Sequence, residues 1–153
     1  MLPELKKFFE ENPLAIAAAS SIKNGRKIEI IVVQEKIKTE YTFRKDSGKN
    51  VLEKGKPSEA DVTFTMPVAA ISEIVSTQFS SVGQVGLRIF EKMLSSDEKQ
   101  KVKAKLNCGI LSLMTGGYLG VLTAGGGDVA KFLATKGLGN LGKLKDTISK
   151  MKN

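Results

Sequence analysis

Few side chains in this sequence are able to do covalent or metal chemistry. It has no histidine and no tryptophan, and Cys108 is its single thiol. Serine–histidine and cysteine–histidine triads, histidine metal sites and cysteine-rich zinc sites therefore each lack a required member. Cys108 stands beside Gly109 with no base or metal partner next to it in sequence, and reads as a small buried apolar residue. The run Gly125-Gly126-Gly127 before a helix invites a phosphate-loop reading. It lacks the lysine followed by serine or threonine that such a loop needs, and Asp128 takes the helix start where an anionic phosphate would sit. Glu10, Glu11, Glu29, Glu35 and Glu40 read as exposed helix and strand faces rather than as a paired acid and base, since no polar cleft is suggested around them. The sequence thus predicts no enzymatic activity, no cofactor and no metal.

What remains is apolar surface and positive charge. The formal net charge is +8, carried almost wholly by lysine, with only Arg26, Arg44 and Arg88 able to fork onto phosphates or bases. Aromatic residues do not interleave with the basic ones, which argues against nucleic acid and leaves an anionic membrane face as the expected transient partner. One cysteine makes no intramolecular disulfide, and the opening Met1-Leu2-Pro3-Glu4-Leu5 lacks a secretory apolar core, so a reducing cytoplasmic setting is expected. No run approaches the roughly twenty apolar residues of a membrane span; Leu14 to Ala19 is far too short.

The elements that must position this surface follow from periodicity. Leu5, Phe8 and Phe9 share one side of a short helix that Pro13 stops. Ile28, Ile30 and Val32 alternate, Ile37, Thr39, Tyr41 and Phe43 share a face of a second run ending at Asp46-Ser47-Gly48, Asn50 to Glu53 is a short third strand, and Val62, Phe64 and Met66 alternate in a fourth. These are four antiparallel strands in succession with one apolar face to cover. Pro67 suits the first turn of a helix bearing Ile71, Ile74 and Val75, and Val85, Ile89, Phe90 and Met93 form a second helical stripe. Ser95 and Glu98 have capping-box spacing for a third helix carrying Val102, Leu106, Ile110, Leu113 and Met114. A fifth strand, Tyr118 to Thr123, and a helix from Asp128 with Phe132 and Leu133 complete a body over residues 1–137. Residues 138–153 read as an amphipathic basic tail, with Leu138, Leu141, Leu144, Ile148 and Met151 set among lysines. A docked helix, a lid and a membrane contact are all open to it. The predicted class is α+β: a five-stranded, mostly antiparallel sheet covered by helices on one face, enclosing an apolar cavity, with an amphipathic C-terminal helix.

Two stretches carry a resemblance. Ala60-Asp61-Val62-Thr63-Phe64-Thr65-Met66 is similar to the fourth strand of the sterol carrier protein type 2 domain, and Val121-Leu122-Thr123 with the glycines and Asp128 resembles that family's last strand and final helix. The chain departs from the family in spending Ala69 to Thr115, mostly in two long helices, between the fourth and fifth strands, and in lacking a peroxisomal address at its end. The resemblance implies a non-enzymatic carrier that holds a lipid, fatty acyl, sterol-like or isoprenoid ligand in an apolar tunnel and exchanges it at anionic membranes. The expected wall is Phe64, Met66, Ile71, Ile74, Phe79, Phe90, Leu106, Ile110, Leu113, Met114, Leu122, Phe132 and Leu133. The alternative is an accessory or scaffold domain that presents a hydrophobic intermediate to other enzymes or binds a partner helix. Oligomeric state is not specified by any of these features.

Overall fold

Alternation produces the sheet as expected for its first three strands. In the computed structural model, which describes residues 1–118, Gly120, Lys131, Ala134, Thr135, Asp146 and Lys150, these are β1 (Lys27–Gln34), β2 (Ile37–Asp46) and β3 (Lys49–Lys54). β1 and β2 pair antiparallel with Ile30 opposite Tyr41, and β2 and β3 with Phe43 opposite Leu52. The second hairpin closes on Ser47 and Gly48, at φ 51° and 80°, the left-handed pair whose twist matches that of the strands.

β4 (Val62–Pro67) departs from the expected succession. It crosses to the far side of β1 and pairs with it in parallel, setting Val62, Phe64 and Met66 beside Ile28, Ile30 and Val32. The strand order is β3-β2-β1-β4-β5. The link 55–61 returns over the outer face, where Thr42 Oγ1 donates to the Gly55 carbonyl and Lys27 Nζ to Ser58 Oγ. With β4 and β5 on its far side, the strongly apolar β1 becomes the middle strand of the sheet, where both neighbours and the helices bury it, rather than an edge.

The helices gather on the other face. α1 (Leu2–Lys6) runs on as a π-helical turn over Lys7–Glu11 and buries Leu5 and Phe8. α2 (Pro13–Ala18) is capped by Asn12, whose Oδ1 accepts from the Leu14 and Ala15 amides at 3.0 and 3.2 Å. With proline at the first helical position this is a strong start signal, and it turns the apolar stretch 14–19 into a packing helix. α3 (Val68–Ser76) buries Ala70, Ile71 and Ile74, and α4 (Val82–Met93) buries Val85 and Phe90. Lys92 of α4 reaches Glu73 of α3 and Gln100 beyond it, and that ammonium holds the Glu73 carboxyl below its usual range.

The expected third helix and fifth strand are corrected. Residues 95–100 form turns in which Ser95 Oγ accepts from the Asp97 amide and Asp97 from the Lys99 amide, so no capping box forms. Lys103–Leu106 is instead β5, antiparallel to β4 with Leu106 opposite Val62 and Ala104 opposite Phe64. Lys101, Lys103 and Lys105 recur every second residue, which no single helix face accommodates; the period of two was the strand signal. A shorter α5 (Ile110–Thr115) follows, and Tyr118 lies in a turn. Of the expected strand 118–123, Gly120 is helical; Leu119 and residues 121–130, which include the start of the Asp128 helix, lie outside the described residues, as does the tail 138–153 apart from Asp146 and Lys150. The segment between β4 and β5 therefore holds α3 and α4, and α5 follows β5. Gly117, at φ 86°, lets α5 close onto the segment after α2: a Cβ there would run into the Ser21 carbonyl, and Ser21 Oγ donates to the Gly117 carbonyl at 2.7 Å.

Candidate functional site: an apolar cavity between sheet and helices

The inward residues of the strands do not fill the space beneath the helices. They leave a cavity of about 190 Å³. Its floor is Ile28 and Ile30 of β1, Phe43 of β2, Val62, Phe64 and Met66 of β4, and Ala104 and Leu106 of β5. The roof is Ala15 and Ala18 of α2, Val85, Gly86, Ile89, Phe90 and Met93 of α4, and Leu113 of α5, with Phe9, Ala19, Ile22 and Tyr118 at the sides. The small residues explain the gap: where Ala15 and Ala18 face Gly86, the facing helices carry little volume to project between the layers.

Of the expected wall, Phe64, Met66, Phe90, Leu106 and Leu113 meet here. Ile71 and Ile74 are instead packed core, at 1% and 3% exposure, and take no part in the lining. Phe79 packs on Phe8 with ring centroids 6.1 Å apart, and Met114 is half-buried outside the cavity. The backbone of Ile110 opens α5, but its side chain lies outside the described residues, as do Leu122, Phe132 and Leu133 entirely. Several lining residues escaped the sequence list despite a visible signal. Ile28, Ile30 and Val62 carry the strand alternation, and Val85, Ile89 and Met93 form the α4 stripe. The alanines of α2 had no such signal, because small residues are as common at tight contacts as beside voids.

A polar cluster closes one end. Tyr118 donates its hydroxyl to Asp61 Oδ2 at 2.6 Å, and Arg26 Nη1 donates to Asp61 Oδ1 at 3.3 Å and to Ser112 Oγ at 3.0 Å. The Asp61 backbone is tied on both sides, its amide to the Lys27 carbonyl and its carbonyl to the Asn107 amide. Asp61 is thus a clamp joining β1, β4, the exit of β5 and Tyr118. Burial, then Asp61, pushes the Tyr118 phenol far up, and burial also raises Tyr41. Burial likewise raises the Cys108 thiol, with Asp61 adding to it, which makes half-buried Cys108 a poor nucleophile.

The chain has two tyrosines, and their raised values have a consequence for stability. A phenol whose folded pKa exceeds the ordinary 10.0 contributes stability that is fully present below pH 10 and is lost as pH rises through the folded value. In a near-ultraviolet absorbance titration of the folded protein, neither tyrosine is expected to ionise at its ordinary value. Tyr118→Phe should flatten the loss of stability above pH 10; ordinary titration of both phenols would contradict the buried cluster.

Two carboxylates expected on exposed faces are not there. Glu10 accepts from the Leu52 amide at 2.7 Å and from Lys6 at 3.0 Å, pinning β3. Glu29 is only 7% exposed on the face opposite the cavity; its Oε2 accepts from Thr63 Oγ1, and its Oε1 is buried with no hydrogen-bond partner among the described residues.

Fold and cavity together define an α+β domain whose described residues enclose an apolar cavity. No family model and no curated protein matches the chain. Among solved structures, one described as "UbiJ-SCP2 Ubiquinone synthesis protein" is similar over 78% of this chain and 88% of that chain, at 12% identity and a TM-score of 0.43. A likeness that loose transfers neither function nor site residues.

Proposed function

We propose that this protein is a non-enzymatic binder of an apolar ligand of the lipid or fatty acyl class, held between sheet and helices and exchanged at anionic membrane surfaces in the cytoplasm. The observation that carries the reading is the cavity, whose described walls are apolar apart from the tethered Tyr118. The sterol-carrier resemblance of Ala60 to Met66 agrees with it, since Val62, Phe64 and Met66 of that stretch form part of the floor. At about 190 Å³ the space exceeds the roughly 150 Å³ that admits benzene and falls short of the ~300 Å³ at which ordinary ligand sites begin. It suits a segment of roughly eight carbons. A longer chain needs α2 and α4 to part, because strands joined by ladder hydrogen bonds yield less readily than two helices meeting through small side chains.

The test is a series of linear alcohols from butanol to dodecanol, titrated into the full chain and followed by NMR. Each methylene buried contributes about 0.8 kcal/mol, or roughly fourfold in affinity. Affinity is expected to climb at that rate to about eight carbons; a plateau beyond marks a rigid cavity and a continued rise marks helix separation. No binding, or binding indifferent to chain length, would remove the carrier reading.

A further inference from the structure

Beside the apolar cavity lies a second, more open recess of about 440 Å³, lined by Ile16 of α2, by Ser20, Ser21, Lys23 and Asn24 from the segment after α2 and by Lys45 and Gly48 from the second hairpin. Ile22 borders both spaces. Lys45 is the unusual member. It follows Tyr41 and Phe43 at every second position of β2, so it points to the helix-covered side and is only 4% exposed. Its Nζ donates to Asn50 Oδ1 at 3.0 Å and, at a long 3.5 Å, to the Gly48 carbonyl. Among the described residues no carboxylate stands within 4.0 Å of it. Buried ammonium groups are normally paired, since neutral carbonyls replace only part of the lost hydration. Burial accordingly lowers the Lys45 pKa.

We infer that this recess is a binding site for a carboxylate or phosphate group, with Lys45 as the buried charge partner and Lys23 and Ser20 at its rim. Phe43, which lines the apolar cavity, is two residues before Lys45 on the same face of β2, about 7 Å away along the strand. If the carrier reading holds, on which this step rests, the anion is the acidic head of an amphiphile whose chain occupies the cavity. The same chemistry also fits a free anion, and the experiment separates the two.

Octanoate, octanol and inorganic phosphate are titrated separately into the full-length wild type, Lys45→Met and Lys45→Gln. Met keeps the apolar stem and Gln a polar tip, so at least one folded variant is expected. Wild type should bind octanoate at least about tenfold more tightly than octanol, a preference lost in either variant while octanol affinity stays unchanged. Equal binding of the two amphiphiles, together with phosphate binding that depends on Lys45, assigns the recess to a free anion and still supports it. Octanol failing to bind counts against the cavity reading alone; the Lys45 dependence of phosphate binding then decides the recess. No acid preference and no Lys45-dependent phosphate binding, or preferences that survive in both variants, would overturn the site.

Discussion

Ile71→Ala is expected to lower the unfolding free energy by about 2–5 kcal/mol, the largest stability effect we foresee, without altering the octanol affinity of the folded protein. Ile71 sits on α3 at 1% exposure, in the same buried core as Ala70 and Ile74. It does not line the cavity. Removing its branched side chain from filled space forfeits both the transfer energy and the contacts around the new void. A domain of this size has only about 5–15 kcal/mol of stability to lose, so the urea midpoint should move sharply. A loss under about 1 kcal/mol combined with weaker octanol binding would mean that the cavity reaches α3.

Leu113→Trp should weaken octanol binding by at least about tenfold, whereas Met114→Trp should leave it within roughly twofold. The two residues are neighbours on α5, yet Leu113 lines the cavity at 5% exposure and Met114 is half-buried outside it. An indole at position 113 takes up space that the ligand would occupy, at a cost in stability of about 1–3 kcal/mol for overpacking. At position 114 the ring has a partly open surface to lie on. The contrast isolates occupancy of the cavity from general disturbance of α5. Equal effects of the two substitutions would place the ligand elsewhere.

Period-two and period-3.6 patterns made β1, β2, β4, α3 and α4 legible, because each records in a few adjacent residues which side faces the core. The same reasoning failed between Ser95 and Met114. Apolar residues at 102, 106, 110, 113 and 114 fit a helix, but Val102 precedes β5, Leu106 ends it, and only the last three lie in α5. Leu106 satisfies either pattern, and only the open edge of β4 beside it settles the matter in favour of a strand.

The sequence by itself determined the kind of surface this protein owns: an apolar sheet face with amphipathic helices to cover it, a lysine-rich exterior and few groups for chemistry. Each of these is a property of composition or of short-range spacing. Tertiary structure alone decided that β4 joins β1 in parallel, since pairing between distant strands leaves no local mark. It also decided that Phe64, Met66, Phe90, Leu106 and Leu113 border a void while Ile71 and Ile74 are packed. Periodicity reports that a side chain leaves water, not whether another meets it; that depends on the distance between layers and on how small the facing residues are, here Ala15, Ala18 and Gly86. Lys45 follows the same rule. Its place on the inner face of β2 is written in the alternation, but the absence of a nearby carboxylate among the described residues emerges only when the hairpin and the segment after α2 come together around it.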